Sequence, residues 1–151
     1  MGRERLAATV SRTNVSSKDR ICAVLATSRF CHVPYEQVFD FYKDAFDARI
    51  EREITEGVRK RRVRWDGRVM GYLFEQAFQE FNTPFTRHDA REAITFMEWY
   101  EQCGKIHKTY FVHIKRHVFT SEGGIAMDQH TCGGVSSFGP AQRKIYRVYG
   151  R

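Results

Sequence analysis

The sequence predicts a mainly helical α+β domain: a helical body that closes in a C-terminal β-hairpin, preceded by an N-terminal helical extension. Three observations predict it. Apolar residues recur at helical spacing in residues 34–55 and again in 67–82. Residues 108–120, KTYFVHIKRHVFT, sort into two faces when wound as a helix: Thr109, His113, Arg116, His117 and Thr120 on the polar side, Tyr110, Phe111, Ile114 and Val118 on the apolar side. A Gly-rich stretch then leads into RKIYRVY at 143–149, which reads as a strand.

Taken in order, residues 1–15 read as a flexible basic tail and 16–66 as the helical extension. Ser16 and Asp19 form a weak capping box for a first helix ending near Arg29. Pro34 suits the start of a second, long helix, with Val38, Phe41, Tyr42, Ala45, Phe46 and Ile50 as its stripe and Gly57 as its stop. Asp66 would cap a third helix over 67–82. Thr86 and Asp89 would cap a fourth, which buries Ala90, Ala93, Ile94, Met97 and Tyr100 and ends at Gly104. For residues 108–120 a strand is the rival of a helix, because TYFVHI is rich in β-branched and aromatic residues. Strict alternation fails at TYFV and at HVF, so the helix is preferred. Residues 125–127 and 144–149 read as two strands around a long Gly- and Ser-rich loop.

Charge points to an anionic partner. The net charge is +7, and its distribution is uneven: +4 over residues 1–62, −2 over 63–105 and +5 over 106–151. A basic bias of this kind favours nucleic acid. No apolar run is long enough to span a membrane, and the N-terminus has no apolar core of a secretory signal, so an intracellular place, cytoplasmic or nuclear, is expected. Four cysteines, at 22, 31, 103 and 132, fit neither a zinc ribbon nor a redox CxxC pair and read as reduced, mostly buried thiols.

The segment PFTRHDAREAI followed by TYFVHIKRHVFTSEGGI and KIYRVY resembles winged-helix proteins over residues 67–149. That resemblance implies a winged-helix-like domain over 67–151, with 108–120 as recognition helix and the final hairpin as wing. It also implies a DNA-binding regulator in which Lys108, Lys115, Lys144 and Arg147 anchor phosphates. His113, Arg116 and His117 would read bases, Thr109 would donate to phosphate or base, and Arg143 would hold the backbone from the wing. The run Arg59, Lys60, Arg61, Arg62 and Arg64 reads as a second phosphate clamp or as a solvated helix end. Trp65 beside it would stack on a base or anchor the core. The long helix over 34–55 suggests a homodimer.

No cofactor, metal or catalysis is expected. His113, His117, His130 and Cys132 have no known zinc spacing, and no nucleophile or phosphate-loop motif occurs. The one catalytic alternative uses His113 or His117 with Asp128 to activate water, as in a nuclease. A non-catalytic adaptor subunit of a virion or ribonucleoprotein is the competing class. It gains weight if residues 108–119 form a strand paired with 144–149.

Overall fold

The computed structural model describes residues 21–90 and 93–151. Over these residues the fold is α+β, with four helices and one six-stranded antiparallel sheet. The expected tail and the Ser16–Asp19 cap lie outside the described residues.

Helix α1 (Cys22–Cys31) buries Val24, Leu25 and Phe30 and stops where His32 takes a left-handed φ of 55°. Helix α2 (Tyr35–Thr55) begins directly after Pro34, whose fixed φ and missing N–H suit a helix start. Val38, Tyr42 and Ile50 are its buried stripe, and Gly57 follows its end at a φ of +76°. The stripe finds its partners inside the chain: Phe39 and Phe46 lie 5.1 and 6.5 Å from Trp65, and Phe41 lies 5.7 Å from Phe81. Trp65 is therefore a buried anchor of the core, and its indole N–H donates to the Arg68 carbonyl.

Helix α3 (Leu73–Glu80) is shorter than the expected 67–82, because residues 71–72 turn and Gly67 has a φ of +91°. Residues expected to cap a fourth helix form strand β1 (Thr86–Asp89) instead. The helix starts later, as α4 (Phe96–Cys103), because Thr95 and Glu98 make a complete reciprocal capping box. Phe96 and Trp99 are its buried residues.

Residues 108–120 are not a helix. They form strands β2 (Thr109–Ile114) and β3 (His117–Glu122), joined by a two-residue turn at Lys115 and Arg116. Strands β4 (Ile125–Met127), β5 (Cys132–Gly134) and β6 (Ile145–Gly150) complete the sheet, with two 3-10 turns, Val135–Ser137 and Gly139–Gln142, before β6. The two expected strands at 125–127 and 144–149 exist but do not pair with each other. The sheet order is β1-β6-β2-β3-β4-β5, so β6 lies between β1 and β2, with Phe111 opposite Tyr149 and Val112 opposite Val148. The recognition helix and wing of a winged-helix arrangement thus have no counterpart at the expected places.

The sheet is covered on both faces. On one, Phe111, Val118 and Tyr149 join α1, α2 and α3 in a core where Phe111 packs on Phe30, Phe74 and Phe78 at 5.9, 4.9 and 5.2 Å. On the other, Tyr110, Val112, Ile114, Phe119 and Val148 meet Phe96 and Trp99 of α4 and Phe138 of the 3-10 turns. Inward-facing apolar side chains on both sides of a strand remove the alternation that a half-exposed strand would display. Each large buried side chain contributes about 1.5–3 kcal/mol relative to exposure.

Candidate functional site

Where the N-terminus of α1 meets the β2–β3 turn, the two layers leave a cavity of about 520 Å³. Cys22, Phe74, His113 and His117 line it, and Arg68 and Arg116 belong to its wall. Its size suits a small molecule. A second hollow of about 270 Å³ lies between α2 and residues 63–73, with Arg49, Arg64 and Tyr72 among its walls; it holds no histidine or cysteine.

His113 is half-buried on the helical face of β2. Its ring meets Phe74 edge-on at 5.3 Å and Tyr146 at 5.4 Å, and Gly71 approaches closely enough that a Cβ there would lie 3.4 Å from Cε1. Burial, aided by the Arg147 charge, lowers its pKa below the usual 6.5. This ring is neutral at pH 7.

His117 opens β3, beside the turn. Its Nε2–H donates to Asp128 Oδ2 at 2.9 Å, and Cys22 lines the same cavity. Burial alone would depress this ring too, but the bond to Asp128 outweighs it and raises the pKa to about 9. Asp128 is buried just past β4. Burial pushes its pKa up, yet three hydrogen bonds prevail and hold it below the ordinary value: Oδ2 takes the His117 ring, and Oδ1 accepts the backbone N–H groups of His130 and Thr131, both at 2.9 Å. At pH 7 the site therefore carries a neutral His113 and a cationic His117 on one cavity wall.

The sequence-selected residues are redistributed. Thr109 is buried in the sheet and Lys108 is half-buried before it. Arg147 is engaged by Asp89 at 2.6 Å and by Glu75 at 3.9 Å. Arg59 pairs with Glu53 at 2.9 Å, and Arg62 pairs with Glu51. Lys60 and Arg61 are exposed just beyond α2. Lys115, Arg116, Arg143 and Lys144 come together at one end of the sheet: Ile114 is opposite Ile145, and Arg143 Nη2 donates to the Lys115 carbonyl at 2.8 Å. All four are exposed. His113, His117, His130 and Cys132 are not gathered for a metal, and no group of three or more ligating side chains that could hold one occurs among the described residues.

His117 with Asp128, the sequence's water-activating alternative, is brought together. Cys22, Arg68 and Phe74 were not selected from sequence. Cys22 carries no motif, and its approach to His117 depends on α1 crossing β3, a contact 95 residues apart in the chain. No helix among the described residues is long and apolar enough to cross a membrane. Comparison of the chain with protein-family models, curated proteins and solved structures gives no match.

Proposed function

We propose that this domain binds a small anionic molecule in the α1–β3 cavity and moves a proton on it, with His117 as acid and His113 as base. The observation that carries the reading is the opposite tuning of two histidines on one wall: one held neutral by burial, the other held cationic by Asp128. Two titratable groups whose environments push their proton affinities apart supply an acid and a base at the same pH. Arg68 and Arg116 favour a carboxylate or phosphate on the ligand, and Phe74 with Val118 favours an apolar body. This replaces the non-catalytic expectation, which rested on the absence of a linear motif; the paired groups come from separate strands and loops.

The test is ring NMR of the histidines across about pH 5 to 10, followed by titration with a panel of small carboxylates bearing a carbonyl. His117 should titrate near 9, His113 below 6.5, and a ligand should move both rings. Two rings that titrate together, or a panel that moves neither, would sink the reading.

A second reading, nucleic-acid binding by charge rather than by a recognition helix, is supported by Lys115, Arg116, Arg143 and Lys144 at one sheet end. Binding to duplex or single-stranded nucleic acid should weaken steeply with salt. The double change Lys115→Glu and Lys144→Glu should lower the log–log salt slope by about two. Salt-independent binding, or an unchanged slope, removes it.

A further inference from the structure

We infer that the hollow between α2 and residues 63–73 is a docking site for an acidic peptide segment of a partner protein. One large apolar side chain of that segment enters the recess, and the carboxylates flanking it meet the arginines around it. The inference goes beyond the acid–base reading and uses a different surface. Between Val58 and Met70 stand six Arg or Lys side chains and one Asp. The segment is neither helix nor strand, yet it is pinned. Trp65 is buried against Phe39 and Phe46, its indole N–H donates to the Arg68 carbonyl, and the Arg68 N–H donates to Asp66 Oδ1 at 3.0 Å. A backbone fixed in advance presents its cations with little ordering cost on binding.

Seven large apolar side chains are exposed among the described residues, and three of them, Val63, Met70 and Tyr72, line this one hollow. Phe46 and Leu73 make its inner walls apolar, while Arg49, Arg64 and Arg68 bring charge to it. An apolar centre with a charged surround, built from Tyr, Met and Arg, is the anatomy of a protein interface. At about 270 Å³ the hollow falls below the roughly 300 Å³ at which small-molecule pockets begin, so it suits one inserted side chain. Arg49 is held ready for a carboxylate. Its guanidinium lies over the Phe46 ring at 5.3 Å, its side chain is only 28% exposed, and its Nε–H has no hydrogen-bond acceptor among the described residues, since Glu53 Oε1 stands off at 3.9 Å. The neighbouring carboxylates select the kind of partner. Glu51 and Glu53, paired with Arg62 and Arg59, lie beside the same segment. An anionic bilayer or a nucleic-acid backbone would press on them, whereas a short peptide passes beside them.

The test is fluorescence anisotropy of the full chain with a fluorescein-labelled peptide that carries one tryptophan between two short glutamate runs. The salt is set at about 0.15 M, where exposed charges act over about 8 Å. Binding should be saturable. Replacing the peptide's tryptophan by alanine, or its glutamates by glutamines, should each weaken it at least about fivefold. On the protein, Tyr72→Ala and the double change Lys60→Glu with Arg61→Glu, all at exposed positions, should each do the same. Ala45→Leu narrows the hollow without touching a charge and should also weaken binding at least about fivefold, with urea unfolding checking that the variant folds. Lys105→Glu, an exposed charge reversal after α4, should stay within about twofold. A peptide that does not bind, or binding that the alanine peptide and Tyr72→Ala both leave unchanged, overturns the proposal. Phosphatidylserine vesicles or a single-stranded oligonucleotide binding through these residues while the peptide does not would overturn it equally, and would assign the surface to that polyanion.

Discussion

Replacing Asp128 by Asn should make the stability of this protein lose a specific pH dependence. The His117 ring rises from an ordinary 6.5 to about 9 in the folded state. Each tenfold gain in proton affinity on folding is worth about 1.4 kcal/mol. The shift corresponds to about 3 kcal/mol of stability, carried by a side chain only 16% exposed. The folded pKa is raised, so the contribution is whole below pH 6.5, shrinks as the pH climbs through 9, and is gone above it. Asn keeps the acceptor for the N–H groups of His130 and Thr131 but removes the charge that faces the ring. Urea unfolding read by Trp65 and Trp99, one in each core, is the assay. The wild type should exceed Asp128→Asn by up to about 3 kcal/mol near pH 6, and the gap should close near pH 10. A gap that is the same at both pH values would refute the ion pair as its source.

Other substitutions test the fold around the site. Phe111→Ala empties a fully buried position among three phenylalanine rings and should cost about 3–5 kcal/mol by urea unfolding. Ile106→Ala, at an exposed position, should stay within about 0.5 kcal/mol in the same assay. Thr95→Ala removes the hydrogen bond to the Glu98 N–H at 3.1 Å and should cost about 1 kcal/mol, with faster amide exchange in the first turn of α4. Gly104→Ala would set a Cβ 2.4 Å from Tyr100 Cδ2 and 2.6 Å from its carbonyl oxygen. It should lower the melting temperature through a cost of about 1–3 kcal/mol.

What could be read in the sequence was what local chemistry decides. The long helix after Pro34 and its end before Gly57 follow from proline, glycine and the spacing of Val38, Tyr42 and Ile50. The β2–β3 hairpin was hidden for two physical reasons. Phe111 and Val118 serve one core while Tyr110, Val112, Ile114 and Phe119 serve the other, so neither strand alternates between apolar and polar residues. Its turn also has no glycine or asparagine: Arg116 adopts a φ of +59° without either. Thr86 and Asp89 failed as a cap because tertiary pairing with Gly150 and Arg147 claims that backbone for the sheet. The cavity was invisible in the same way. Cys22, His113, His117 and Asp128 belong to four separate segments, and only their pairing, not their spacing, has chemical meaning.

Strand β6 sits between β1 and β2, although it is the last element in sequence among the described residues. On a ribosome, both neighbours wait for it. At about 5–20 residues per second, roughly two to seven seconds separate the synthesis of Ile114 from that of Gly150. Until then β1 has no partner in the sheet, and β2 keeps the edge that faces β6 open. Neither core can close, because Tyr149 belongs to one and Ile145 with Val148 to the other. Folding of this chain is therefore gated by the arrival of six residues, and a nascent chain halted before residue 145 presents an open apolar seam to chaperones.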